Sequence, residues 1–315
     1  MHGGFRNSDF GIRISGTLIL VVATAKGLFR MQNLFKTCMA FIIAAAAISG
    51  SGQIPVQPVQ PYRAPRLIGT ENPDLNGIWQ TNNRANWDIE PHAAGPSPFP
   101  ALTGAIGATP AGMGVVEEGG LIPYQAWALA KRKENFAKRF TRPTTREINE
   151  STGDPEAKCY MPGVPRATYM GLPFQVIQTP KQILITYEYA NSTRIIHIGR
   201  KPEAPTAAWM GWSIGHWEGD SLVVEVTDQR EETWFDRAGN FHSDALKVTE
   251  RYTPITPYHL MYEATIEDPK VFTRPWKIRM PLYRAMEPNA QLLEFKCVEF
   301  AEEFMYGHLV DDKRN

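Results

Sequence analysis

Between Gly211 and Tyr252 the chain gathers serine, histidine and carboxylate side chains among tryptophans, and their order supports two kinds of chemistry. The first is acid–base catalysis. His242 stands beside Asp236, Ser243 and Asp244 on an aromatic loop, where a carboxylate can orient an imidazole as a general base. In this leading reading Asp236 orients His242, while Glu250 and Arg194 polarise or position a substrate. The second is nucleophilic. Gly211-Trp212-Ser213-Ile214-Gly215 matches the G-x-S-x-G elbow, and Asp236 and His242 follow it in hydrolase order. An elbow needs a strand feeding a helix, so that a strained turn exposes the serine. Ser213 leads instead into His216-Trp217 and a Gly219-Asp220 reversal, so it reads as a strand residue and the serine hydrolase ranks third.

Glu250 shares a strand face with Leu246, Val248 and Tyr252. If that face is buried, the carboxylate needs a cation or must hold its proton. Arg194 is the available cation, with Glu188 and Glu250 as its possible partners, and a plain buried ion pair closing a barrel competes with the catalytic role. Tyr187, Tyr189, Trp212, Trp234 and Trp276 are placed to line an apolar pocket at a barrel mouth, which fits a hydrophobic or aromatic small molecule. A carrier that binds such a ligand and releases it unchanged is therefore the second-ranked function. The seven histidines show neither H-E-x-x-H nor H-x-H spacing, and no glycine-rich loop follows a strand and opens a helix. No metal and no cofactor is expected.

These residues must be carried by a sheet. Ser221 to Thr227 puts Leu222, Val224 and Val226 on one face and Val223, Glu225 and Thr227 on the other, the period-two pattern of a half-buried strand. Comparable signals over 174–178, 183–189, 193–198, 211–217, 245–252, 259–267, 274–283 and 292–299, with a first strand at Trp79, predict about ten strands. Their short spacing points to a mainly β fold, an antiparallel barrel or sandwich. One helix is predicted over 123–140, burying Ile122, Ala126, Leu129, Phe136 and Phe140 and exposing Lys131, Arg132, Lys138 and Arg139. Residues 91–120, rich in Pro, Gly and Ala, predict a long loop covering one end of the fold.

The boundaries follow from composition. Residues 1–50 read as an N-terminal extension and export signal, in which Lys36, the apolar run Met39–Ile48 and Ser49-Gly50-Ser51-Gly52 form the charged, apolar and cleavage parts. That run is too short to span a bilayer. Residues 51–70 are a Pro-rich linker, 71–305 a single β-rich domain and 306–315 a tail. Lys plus Arg and Asp plus Glu are 33 each, which gives no net field for nucleic acid or an anionic membrane. A periplasmic or secreted chain would pair Cys159 with Cys297 as a disulfide, two free thiols being the other possibility.

The segments DPEAKCYMPGVPR, PFQVIQTP, YEYANSTRIIHI, GHWEGDSLVVEVT, TWFDRAGNFHSDALKVTERY and LLEFKCVEF together resemble a family of exported bacterial β-rich proteins. The resemblance implies export and a shared fold and supplies no reaction or catalytic residue. Gly77-Ile78-Trp79 is similar to the first-strand signature of lipocalins.

Overall fold

Alternation along the strands decides the architecture. In KVTERYTPIT every second side chain from Val248 to Pro254 is buried and its neighbours are not, so one face of the strand packs on a core. The computed structural model describes residues 62–96, 108–139, 153–199, 202–301 and 305. Among them, β1 (Gly77–Thr81), β2 (Phe174–Gln178), β3 (Gln182–Tyr187), β4 (Thr193–Ile198), β5 (Trp212–Glu218), β6 (Ser221–Thr227), β7 (Lys247–Thr256), β8 (His259–Glu267) and β9 (Trp276–Arg284) form a closed barrel in sequence order.

A closed ring of nine strands in sequence order cannot alternate direction all the way round, so one neighbouring pair must run parallel. That pair is β4 and β5, joined over Ile196–Ile198 and Ser213–Gly215. The remaining pairs, including β1 with β9, are antiparallel. β1 reaches only Leu282 to Arg284 of β9. The open edge beside the first half of β9 is taken by Val115–Glu117: Val116 bridges Ile278, Glu117 N–H donates to the Lys277 carbonyl at 2.8 Å, and Arg279 N–H donates to the Val115 carbonyl at 3.0 Å. The predicted covering loop therefore helps close the wall.

Closure also explains why the predicted tenth strand at 292–299 does not form. Residues 292–299 are irregular and mostly exposed, because a sealed barrel leaves no edge for LLEFKCVE to join. The segment is held instead by the Cys159–Cys297 disulfide, whose Cα atoms are 5.8 Å apart. Closing a loop of 138 residues contributes about 4–5 kcal/mol in the chain-entropy model.

The helix α1 (Ala126–Lys138) is present but turned from its predicted orientation. Its buried residues are Ala128 and Asn135, while Leu129 and Phe136 are 43% and 45% exposed. Phe140 lies outside the described residues. The Lys131 and Lys138 side chains face solvent as predicted, but Arg132 and Asn135 turn inward to buried polar partners: Arg132 Nε donates to Asn240 Oδ1 at 3.2 Å, and Asn135 Nδ2 donates to the Gly239 carbonyl at 3.3 Å. The turn at 236–240 seats directly on the helix backbone. A Cβ at Gly239, where φ is +83°, would lie 2.8 Å from Phe136 N and 2.9 Å from the Arg132 carbonyl. Gly239→Ala is therefore expected to destabilise the fold by about 2–4 kcal/mol through left-handed strain plus overpacking, read as a lower urea midpoint with an unchanged m-value.

Candidate functional site

The barrel interior is filled rather than hollow. Trp79, Phe174, Ile183, Ile185, Ile196, Val224, Val248, Tyr262 and Ile278 are buried within it, and a buried polar cluster sits among them. Arg194 Nη2 lies 2.7 Å from Glu250 Oε2 and donates to the Tyr252 hydroxyl at 3.0 Å. Glu250 Oε1 accepts from the hydroxyls of Tyr252 at 2.9 Å and Tyr262 at 2.8 Å. The Arg194 to Glu250 Oε2 contact is an ion pair without an aligned N–H, since Oε2 makes no hydrogen bond. Ser213 Oγ, on an inward position of β5, accepts from Arg194 Nη1 at 3.4 Å. It is in mid-strand and buried, a setting unlike a nucleophile elbow. The Tyr187 hydroxyl points into the same cluster, where burial raises it above the ordinary phenol range.

His242 lies elsewhere, on the connection between β6 and β7. Its Nδ1 is 2.8 Å from the Ser243 carbonyl and its Nε2 is 2.7 Å from Thr233 Oγ1, which fits a neutral ring protonated on Nδ1. Burial lowers it further from the charged form. Asp236 is not among its hydrogen-bond partners. Asp236 accepts the N–H groups of Ile89, Ala238 and Asn240 and the Asn240 side-chain amide, the work of a turn-organising carboxylate. Burial and the nearby Asp88 carboxylate push it up from the usual range. The carboxylate nearest His242 in its network is Asp268, which accepts the Ser243 N–H at 2.7 Å and the Ser243 hydroxyl at 3.0 Å.

Strand directions bring the connections 82–173, 188–192, 228–246 and 268–275 to one end of the barrel. A cavity of about 510 Å³ lies among them, lined in part by Trp87, Asp88, His92, Phe136, Arg139, Glu156, Met170, Tyr189, Arg237, Phe295 and Cys297. Its volume suits a small organic ligand. Of the aromatics predicted to form a pocket, Tyr189 alone lines it. Trp234 and Trp276 are buried in the core, Trp276 edge-on to Phe235 and Phe272. Trp212 is on the outer face of β5 against His197, its indole N–H donating to the Pro202 carbonyl at 2.8 Å. None of His242, Asp236, Glu250, Arg194 or Ser213 lines this cavity or the smaller one of about 160 Å³ at the opposite barrel end.

Two ionic knots build the cavity. In one, Arg166 donates to Asn86 Oδ1 at 2.9 Å, Asp154 Oδ1 at 3.1 Å and Glu156 Oε2 at 2.7 Å, while Arg237 grips both oxygens of Glu156 at 2.7 and 2.6 Å. Burial alone would raise Glu156, but Arg237 and then Arg166 outweigh it and hold the carboxyl at about 2. In the other, Arg132 Nη2 meets Asp88 Oδ2 at 3.2 Å, and Asn240 links Asp88 to Asp236 and to the Tyr124 hydroxyl. Burial raises Asp88. The Arg237 guanidinium lies 4.3 Å from the centre of a Trp87 ring, and Tyr189 packs on Phe295 at 4.9 Å. These surfaces can hold a flat ligand between aromatic and guanidinium planes.

Asp88, His92, Glu156, Arg166 and Arg237 were not singled out by sequence reasoning. The traces they leave are the alternation in Trp87-Asp88-Ile89-Glu90-Pro91-His92 and the charged residues of DPEAKCYMPGVPR. Among the described residues no group of three or more His, Cys, Asp or Glu side chains is placed to hold a metal ion, and no helix is long and apolar enough to cross a membrane. The export signal lies outside the described residues. No protein-family model, curated protein or solved structure matches the chain.

Glu156 titrates near 4.5 when unfolded and about 2 when folded. Its depressed value contributes stability that is complete above the unfolded value and is lost as pH falls through the folded one. Over that range the loss is about 3 kcal/mol. Glu156→Gln should be less stable at pH ~6 and should lack this part of the acid slope in urea unfolding between pH ~5 and ~2. In the barrel, Glu250→Gln leaves Arg194 buried against a neutral partner and should cost about 3–5 kcal/mol, with the Glu250→Met, Arg194→Met double variant recovering much of it. A double variant no more stable than the single one would assign the pair a net stabilising role.

Proposed function

We propose that this chain is an exported protein that binds a hydrophobic or aromatic small molecule in the cavity at the loop end of its barrel. The observation that carries this is a preformed space of about 510 Å³ whose lining mixes Trp87, Phe136, Tyr189 and Phe295 with a few fixed polar groups. The charges that build the wall are closed on one another: Arg132 on Asp88 and Glu90, Arg166 on Asp154 and Glu156, Arg237 on Glu156. A ligand without net charge suits such a wall, since it need not break these pairs. Export is supported by the apolar run Met39–Ile48 and by the resemblance to exported bacterial proteins, and it accords with the Cys159–Cys297 disulfide.

Binding without turnover ranks ahead of acid–base catalysis, because His242, Asp236, Glu250 and Arg194 line neither cavity and sit in buried hydrogen-bonded or ionic networks. A catalytic reading of the same cavity is favoured by one observation, the Asp88 carboxyl, which lines it and is raised by burial. In that reading Asp88 is the proton-transferring group.

Titration with the uncharged fluorophore N-phenyl-1-naphthylamine tests the site. The expected result is one saturable site per chain, weakened about tenfold in Tyr189→Ala or Trp87→Ala through loss of an aromatic contact. Reduction of the disulfide should also weaken it, because Phe295, Cys297 and Phe300 form one wall. Absence of saturable binding by the folded protein would overturn the proposal. Turnover of a bound compound that is lost in Asp88→Asn would move the protein to the catalytic reading.

A further inference from the structure

The rim of the cavity holds a histidine in an environment that discriminates between its two charge states. His92 lines the cavity together with Ala93, Gly95 and Thr109. Its Nδ1 is 2.9 Å from the Glu90 carbonyl oxygen and its Nε2 is 3.0 Å from the Pro110 carbonyl oxygen. Carbonyl oxygens only accept, so both contacts are hydrogen bonds only when both ring nitrogens carry protons. The neutral ring can satisfy one carbonyl and must set its lone pair against the other.

The ring is fixed in that position by what surrounds it. His92 and Gly112 exchange backbone hydrogen bonds at 2.9 and 3.0 Å, and Gly95 and Thr109 exchange theirs at 2.9 and 3.1 Å, so a two-stranded strap joins 92–95 to 109–112. The imidazole lies against Gly112, where a Cβ would stand 2.4 Å from its Cε1. Only glycine lets the ring span from one carbonyl to the other. The side chain thus ties its own arm of the strap, through Glu90, to the opposite arm, through Pro110.

We propose that His92 is a proton-operated clasp on this rim, so that the strap is tighter, and ligand better retained, when the ring is doubly protonated. The inference rests on the binding reading above and adds a regulation to it. The charged groups around the ring are identifiable. On its own segment stand Asp88 and Glu90, and charge on His92 draws the Asp88 carboxyl down. From α1 comes Arg132, held at 3.2 Å from Asp88 and 3.8 Å from Glu90. Asp236 lies behind Asp88 on the 236–240 turn. Across the cavity are Arg139, Asp154, Glu156 and Arg237, the last three within the Arg166 knot. Residues 108–114 bring no ionisable side chain. The sign follows from the two carbonyls: the clasp holds while both ring nitrogens carry protons and loosens when one proton is lost.

The test uses the full ¹⁵N-labelled chain. Histidine ring spectra and backbone amide exchange at Gly95, Thr109 and Gly112, corrected for intrinsic exchange, are followed from about pH 5.5 to 8, beside titrations with N-phenyl-1-naphthylamine. The expected result is a His92 ring protonated on both nitrogens at the acid end. Toward the alkaline end, protection of the strap amides should fall, and the probe dissociation constant rise, by about tenfold, the scale of one charge-assisted hydrogen bond. His92→Gln should show the weaker state at every pH. A wild-type ring with one proton throughout, or strap protection and affinity that do not change with pH, overturns the clasp and leaves the binding site standing. So does a His92→Gln profile identical to wild type. A probe that binds at no pH overturns the binding reading, and retention falls with it.

Discussion

Glu156 gives both oxygens to Arg237 and shares one of them with Arg166, and the arrangement of the loop end depends on that shared carboxylate. Arg166 also reaches Asn86 and Asp154, and the Arg237 N–H donates to the Asn86 carbonyl. Three stretches far apart in the chain, near 86, 154–166 and 237, thereby meet at one point. A buried guanidinium left with half its partners is costly, whereas the complete set is tolerated. The loops consequently have one satisfactory arrangement, and the cavity they enclose is already formed before any ligand arrives. Such preorganisation lowers the entropic cost of binding.

Side chains fill the barrel, so any site has to be built outside it. The Arg194 to Glu250 pair takes the place of apolar packing within the core, with the hydroxyls of Tyr252 and Tyr262 solvating the carboxylate. This division is common in rigid scaffolds: the sheet supplies position and the connections supply chemistry. Here the connections at one end carry the cavity, and α1 and the 236–240 turn brace it through Asn135, Asn240 and the close approach at Gly239.

The barrel was legible because burial on one face of a strand imposes alternation, and β7 to β9 alternate plainly. The strand predicted at 292–299 failed because pairing partners are a property of the whole sheet, and β1 together with Val115–Glu117 had taken the free edge of β9. The predicted helix face failed for a related reason: Arg132 and Asn135 look solvent-facing until Asp88, Asn240 and the Gly239 carbonyl are placed beneath them. Among the candidate site residues, Arg194 meets Glu250, one of the two carboxylates the sequence offers it. The partnership of Glu156 with Arg237, 81 residues apart, has no local signature, and neither has the link from His242 through Ser243 to Asp268. Proximity in sequence suggested Asp236 as the partner of His242, but the turn at 236–240 directs that carboxylate toward the backbone of Ile89.

The disulfide acquires a different meaning once the strand order is known. Cys159 precedes β2 and Cys297 follows β9, so eight of the nine strands lie inside one covalent ring. β1 is the exception. It is joined to that ring by backbone pairing with β2 and β9 and by Trp79 in the core, which makes it the keystone of the circle: five residues that seal a wall whose other staves are already tethered.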